Sequence, residues 1–172
     1  MIRWPVPQEI YVDTGVFIAA IFPGTTYSEA CRQFCDDLAA ADSSVYTAQI
    51  ARFDLARALR RLATRPDRLP IDIVQSFKLD HWATNPLIRS RWLRHGTREF
   101  ERLTSQFWQF IEVPFTIPIW HASLDLMAAE TLDSSDAVHL ASARAEGSPD
   151  FATTDDDFRR VVSPHVHLIR EP

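Results

Sequence analysis

The chain has 172 residues, of which 46% are hydrophobic and 24% are charged, and its net charge is −5. That length can bury a core, and the composition excludes a disordered or fibrous protein. No stretch approaches the roughly 20 apolar residues that cross a bilayer, and residues 1–5 lack the apolar run of a signal peptide. We therefore expect one cytoplasmic domain over residues 1–172, without membrane association.

The first part of the chain alternates strands with helices. A buried strand is predicted at 10–12 and an apolar helix at 16–22. Thr26 and Glu29 have the spacing of a capping box, which predicts the start of a second helix. A short second strand is expected at 45–47. Cys31 and Cys35 fall four residues apart in this second helix, a spacing that favours buried small side chains over a disulfide.

The middle of the chain is predicted to be helical and is strongly basic. Helices are expected at 49–63, 71–82 and 97–111, so that residues 64–110 form an extra helical segment. Between Arg52 and Arg102 lie 12 of the 18 basic residues but only 6 of the 23 acidic ones. Such a segment could bind phosphate beside an acidic centre, although solvation of a helix surface is the commoner role of each arginine taken singly.

The last third of the chain begins with a Val-, Phe- and Ile-rich stretch at 112–119, which predicts a strand with irregular ends. A helix at 122–131 follows. Ser134 or Ser135 can cap a further helix at 136–146, which Gly147 ends.

Two short strands, at 151–153 and 166–169, complete the pattern. Alternation of strands and helices predicts an α/β sandwich with a mainly parallel central sheet.

Four carboxylates fall where such a sheet binds ligands, at the carboxyl ends of its strands. Asp13 and Asp155 follow strands directly, while Asp136 and Asp54 lie in the first parts of helices that follow strands or breaks. Acidic side chains gathered in one cleft would repel one another unless a divalent cation lies between them. Oxygen ligands in this number suit Mg²⁺ or Mn²⁺, and a bound metal of this kind can promote hydrolysis of a phosphodiester.

Three of the four acids also have an ordinary structural explanation. Asp136 could be a first-turn helix acid, Asp54 could pair with Arg57 or Arg61 on the surface, and the three acids at 155–157 could be solvated turn residues. Asp13 lies between two apolar runs, where an unpaired carboxylate is costly, and this favours a role in a site.

Three motifs together resemble the PIN domain, and most closely the VapC-type ribonuclease toxins of bacterial toxin–antitoxin pairs. They are Ile-Tyr-Val-Asp-Thr-Gly at 10–15, Ser-Ser-Asp-Ala-Val-His-Leu-Ala-Ser-Ala at 134–143, and Thr-Thr-Asp-Asp-Asp-Phe at 153–158. The resemblance covers roughly residues 9–63 and 111–170. It gives no guidance on the segment between them.

The resemblance assigns roles residue by residue. The implied metal ligands are Asp13, Asp136, Asp155 and Asp157, and Thr14 and Thr153 are the implied supporting hydroxyl residues. At the position of Asp54 the family normally carries a glutamate, whose side chain is longer by one methylene group. The implied catalytic acids are therefore Asp13, Asp54, Asp136 and Asp155.

The resemblance further implies a three-layer α/β/α fold, Mg²⁺- or Mn²⁺-dependent cleavage of RNA, frequent homodimerisation and a cognate antitoxin protein as partner. The candidate RNA-binding residues, taken from the basic helix, are Arg52, Arg57, Arg60 and Arg61. Because an aspartate replaces the usual glutamate, an alternative stays open. The domain could bind RNA or a protein partner without cutting.

Overall fold

The computed structural model describes residues 6–170, and within them it forms one parallel sheet with helices on both sides. The strands are β1 (Glu9–Val12), β2 (Ser44–Ala48), β3 (Gln109–Val113), β4 (Asp150–Thr153) and β5 (His165–Leu168). The helices are α1 (Thr14–Ile21), α2 (Ser28–Ala40), α3 (Ala51–Thr64), α4 (Ile71–Phe77), α5 (Pro86–Thr104), α6 (Ile117–Glu130) and α7 (Ser134–Ala145). None of the helices in these residues is both long and apolar enough to cross a membrane.

The strand order is β3-β2-β1-β4-β5, and every pairing is parallel. Strand β1 lies in the centre, with Tyr11 opposite Tyr46 of β2 and Phe151 of β4. Parallel neighbours need crossover connections, and α-helices supply them here except between β4 and β5, where a 3-10 turn lies at Asp156–Arg160. The predicted α/β fold with a parallel central sheet is therefore confirmed.

Two apolar cores cover the two faces of the sheet. Ile10 and Val12 belong to the first core, beneath α1, α2, α3 and α5, whereas Tyr11 belongs to the second core, beneath α6 and α7. Successive side chains of a strand point to opposite faces, so a strand buried on both sides is apolar throughout. Cys31 and Cys35 are buried in the first core, as expected.

The strand predicted at 112–119 was wrongly placed. The observed strand β3 ends at Val113, and Ile117 begins α6, whose first turn is capped by the hydroxyl of Thr116. Pro118, inside the predicted strand, occupies the first turn of the helix, where no backbone N–H is required.

The helix predicted at 97–111 was also misplaced, and again a proline lies in the first turn of the observed helix. Helix α5 starts at Pro86 and ends at Thr104. The side chain of Asn85 accepts hydrogen bonds from the backbone N–H groups of Leu87 and Ile88 and caps the helix. Pro86 is thus a helix-starting residue rather than a break.

The helix predicted at 71–82 is shorter in the structure. Helix α4 ends at Phe77, and Lys78 adopts a left-handed conformation before a 3-10 turn at Leu79–His81.

Two predicted helix caps differ from the observed ones. Helix α2 begins after Tyr27, which has a left-handed backbone, and Thr26 forms no capping box. Helix α7 is capped by Asp133 rather than by Ser134 or Ser135.

Helix α5 packs closely on α3 through a glycine. A Cβ atom added at Gly96 would lie 2.4 Å from Leu59 Cδ2, so only glycine permits this separation of the two helices. The indole N–H of Trp92 donates to the backbone carbonyl of Leu59 at 2.8 Å. The middle segment thereby forms part of the first core and supports α3 from behind.

Candidate metal centre

Carboxylates gather at the carboxyl ends of β1 and β4, which are neighbours in the sheet. Asp13 directly follows β1, and Asp155 lies two residues after β4. Helices α3 and α7 begin close to this edge and contribute Asp54 and Asp136 in their first turns. The position is the one at which parallel α/β sheets bind ligands.

Asp13 is almost buried, with 7% of the residue exposed, and it is held by a threonine. The hydroxyl of Thr153 donates to Asp13 Oδ2 at 2.9 Å and accepts from the backbone N–H of Asp155 at 3.0 Å. The hydroxyl of Thr153 therefore links Asp13 to the backbone of Asp155. A side chain at Gly15 would crowd the carboxylate, because an added Cβ would lie 3.2 Å from Asp13 Oδ2.

Asp136, Asp155 and Asp157 form the cluster with metal-ligand spacing. One oxygen from each lies within 4.8 Å of the others. Asp133 sets the direction of Asp136 by accepting hydrogen bonds from the backbone N–H groups of Ser135 and Asp136. Asp155 caps the following 3-10 turn in the same way, accepting from the N–H of Asp157 at 2.9 Å. We call these three residues the carboxylate cluster.

The environment of Asp136 disfavours its charged form. Burial, together with the negative charges of Asp13, Asp133 and Asp155, raises the pKa of Asp136 from 3.8 to about 7. Asp13 is not one of the three closely spaced residues of the carboxylate cluster, but its charge acts on Asp136. The repulsion is what a bound cation would relieve.

His139 lies at the centre of the site, and the sequence reasoning did not single it out. It is 1% exposed, its Nδ1 lies 2.9 Å from the hydroxyl of Tyr11, and its Nε2 lies 3.0 Å from the hydroxyl of Thr14. Nε2 is also 3.4 Å from Asp54 Oδ2 and 3.7 Å from Asp13 Oδ1. A histidine inside the apolar run 137–143, one turn after Asp136, was the available indication.

The ring of His139 is set for donation to the acids. Burial favours the neutral imidazole, but the hydrogen bond to Asp54 and the charges of Asp13 and Asp136 outweigh it and raise the pKa of His139. In the neutral ring with the proton on Nε2, Nε2–H can donate towards Asp54 or Thr14 and Nδ1 accepts from Tyr11, whereas in the protonated ring both nitrogens donate. His139 therefore joins the two acids outside the carboxylate cluster.

Asp54 is brought to the site, but its oxygens are engaged by protein groups. The hydroxyl of Ser135 donates to Asp54 Oδ2 at 2.5 Å, and the guanidinium of Arg57 lies 2.9 Å from Oδ1. Burial acts against its charge, yet hydrogen bonds from His139 and Ser135 and the nearby charges lower the pKa of Asp54. Asp54 is thus an ionised residue that connects α3 to α7.

The four arginines predicted to bind RNA are all exposed on α3, but they differ in their partners. Arg52 forms ion pairs with Glu112 and Glu101, and its hydrogen bond to Glu112 raises the pKa of the guanidinium. Arg57 is paired with Asp54. Arg60 and Arg61 lie further along the same helix.

The donor atoms of the site fit a hard divalent cation. The carboxylate cluster offers oxygen ligands from three aspartates, and no cysteine or histidine takes part in it. Mg²⁺ and Mn²⁺ prefer carboxylate oxygens and retain water ligands in partly open sites.

Comparison with known proteins agrees with the motif resemblance and with the fold. A family model described as the PIN domain matches residues 10–163, a range that includes the middle segment. The crystal structure of VapBC2 from Rickettsia felis bound to a DNA fragment from their promoter contains a chain of similar fold. The TM-score is 0.58 at 11% sequence identity, and the alignment covers 93% of this chain and 98% of that one. No match was found among curated protein sequences.

Proposed function

Because the chain belongs to the PIN domain family, we propose that it is a Mg²⁺- or Mn²⁺-dependent endoribonuclease with its active site at the carboxylate cluster. The observation that carries the proposal is the convergence of oxygens from Asp136, Asp155 and Asp157 beside the buried Asp13. Four acids from three distant parts of the chain meet at one edge of the sheet. A purely structural role would leave their mutual repulsion uncompensated.

A bound divalent cation would supply Lewis acidity, activating water and stabilising the charge that develops on the phosphate. Asp136, Asp155 and Asp157 would hold it, and Asp13 adds negative charge on the buried side. Thr153 fixes Asp13 relative to Asp155 through its two hydrogen bonds. The buried side chains of His139 and Thr14 line the inner side of the site. These residues thus orient the acidic side chains and exclude water from that side.

The charge near the site supports a nucleic-acid substrate. Arg57, Arg60 and Arg61 lie on the same helix as Asp54, on its exposed side. Over residues 52–102 basic side chains exceed acidic ones by six. A polyanion would meet this surface as it approaches the acids, and phosphate contacts of this kind bind nucleic acid without reading its sequence. RNA is the proposed substrate.

The proposed biological role is that of the toxin in a toxin–antitoxin pair. Support comes from the fold shared with a chain of the VapBC2 complex and from the three sequence motifs. A small antitoxin protein is then the expected partner, and its gene should be a neighbour. Homodimerisation is proposed as well, because Ile117, Trp120 and Leu124 expose apolar side chains at helical spacing along α6.

Cleavage of a labelled single-stranded RNA by the purified chain tests the nuclease proposal. The wild type should cut with Mn²⁺ or Mg²⁺ and stop cutting with EDTA. Asp136→Asn and Asp13→Asn should lower the rate by at least about 100-fold, the loss seen when one group that stabilises transition-state charge is removed. Asp125→Asn, which changes an exposed acid on α6, is the matched control and should cut normally.

A second function has one observation in its favour. The oxygens of Asp54 already accept from Ser135 and Arg57, so this residue is less available to a metal than a longer glutamate would be. If the wild type binds RNA in the same assay but leaves it intact with both metals, the domain binds without catalysis and the nuclease proposal fails.

A further inference from the structure

A second group of metal-ligating side chains lies on β4 and the edge strand β5. Asp150 begins β4 and His165 begins β5, and the two residues are direct partners in the parallel ladder. His167 is two residues further along β5, so its side chain points to the same face as that of His165. One ligand atom from each of the three residues lies within 4.8 Å of the others.

The geometry of this group is compact and centred on one oxygen. Asp150 Oδ1 lies 2.6 Å from His167 Nε2 and 3.2 Å from His165 Nδ1. Bonds of about 2.0–2.2 Å to a tetrahedral Zn²⁺ place neighbouring ligand atoms roughly 3.3 Å apart. Shifts of less than about 1 Å would bring the three atoms to those separations.

The surroundings fix the backbone that carries the two histidines. The backbone N–H of His165 donates to the carbonyl of Pro149 at 2.8 Å, which fixes the start of β5 beside the start of β4. The guanidinium of Arg144 donates to the carbonyl of Ser163 at 2.9 Å and anchors the preceding loop. The side chain of His167 is only 9% exposed, whereas that of His165 is 61% exposed. An ion could therefore enter from the solvent side.

We propose that Asp150, His165 and His167 form a Zn²⁺-type site, separate from the carboxylate cluster, with a fourth coordination position facing solvent. Two imidazoles and one carboxylate suit borderline transition metals, whereas Mg²⁺ prefers oxygen ligands alone. Asp150 and His165 begin β4 and β5, and His167 is the third residue of β5, whereas the carboxylate cluster lies beyond the carboxyl end of β4. The two sites thus differ in both position and chemistry.

The consequence is a metal crosslink between β4 and the edge strand β5. The loop that it closes runs from Asp150 to His165 and contains Asp155 and Asp157. A metal that binds the folded chain alone stabilises it by mass action. Zn²⁺ at this site would therefore restrain the segment that supplies two acids of the carboxylate cluster.

Zn²⁺ titration of the metal-free chain by calorimetry tests the proposal. Asp136→Asn serves as the background, because it weakens the carboxylate cluster and leaves the second site intact. This variant should bind one Zn²⁺ per chain, and adding His165→Gln should weaken binding by more than the roughly 10–100-fold lost when an outer partner of a metal ligand is removed. His165 is exposed, so this substitution leaves the core unchanged.

His121→Gln is the matched control, since His121 is an exposed histidine on α6 outside the group. It should bind Zn²⁺ as the background does. His167→Gln is a second ligand variant, and the imidazole NMR signals of both ligand histidines should shift on Zn²⁺ addition. Absent Zn²⁺ binding, or binding that His165→Gln leaves unchanged, would overturn the proposal. Neither result would bear on RNA cleavage, which is measured with Mn²⁺ or Mg²⁺.

Discussion

Replacing Asp136 by asparagine should stabilise the metal-free protein at neutral and alkaline pH. Burial and the neighbouring acids raise the pKa of Asp136 from 3.8 to about 7 in the folded chain. Between these values the folded state binds the proton more tightly than the unfolded state, so stability falls as pH rises. Above pH 7 the full penalty is present, and asparagine removes it.

The size of the effect follows from the shift. A change in pKa from 3.8 to about 7 corresponds to about 4 kcal/mol. The carboxyl group is only partly buried, and solvent screening reduces the expected gain to about 2 kcal/mol. In a chain of this length that gain would raise the melting temperature by about 4–8 °C. At pH 4 the two proteins should have nearly equal stability.

Urea denaturation in EDTA at pH 4, 6 and 8 measures the difference. Asp72→Asn, which removes an exposed first-turn acid from α4, controls for the lost interaction with the helix dipole. Saturating Mn²⁺ should reverse the order at pH 8, because the wild type gains more from the metal than the variant. A variant less stable than wild type at pH 8 in EDTA, or a difference that does not change with pH, would refute the reasoning.

Three further changes probe packing and buried hydrogen bonds. Gly96→Ala places a Cβ 2.4 Å from Leu59 Cδ2 and should lower the free energy of unfolding, measured in urea, by about 1–3 kcal/mol. If the losses from Gly96→Ala and Leu59→Ala simply add in the double variant, the clash with Leu59 is not their cause. Trp92→Phe removes the hydrogen bond to the Leu59 carbonyl and should lower stability by about 1–2 kcal/mol, whereas unchanged stability would contradict it. His139→Gln removes the imidazole beside Asp54 and should slow metal-dependent cleavage by roughly 10–100-fold. A wild-type rate would show that the ring does not position the acids.

The centre of the sheet could be predicted because β1 and β4 are buried on both faces. The apolar run at 10–12 ends at a carboxylate, and a buried charge between apolar runs indicates a site without reference to any relative. Asp155 was harder, since three consecutive acids follow β4 and only the resemblance chose among them. In the structure the two acids differ: the side chain of Asp155 caps the 3-10 turn, and Asp157 donates its backbone N–H to that cap.

The sequence was least informative where proline and histidine have more than one role. Pro86 and Pro118 interrupt a periodic pattern equally well whether they break a helix or start one, and both start helices here. His139 fits a buried helical position, and only the fold reveals that Tyr11 and Thr14 hold its ring. Such contacts join residues more than a hundred positions apart, beyond the reach of local patterns.

The dependence of RNA cleavage on Mn²⁺ concentration tests the central claim most directly. Asp157 is the exposed member of the carboxylate cluster, so Asp157→Asn should raise the Mn²⁺ concentration for half-maximal cleavage. At saturating Mn²⁺ its rate should approach that of the wild type. An unchanged Mn²⁺ dependence, together with a lower maximal rate, would show that the cluster does not hold the metal that supports cleavage.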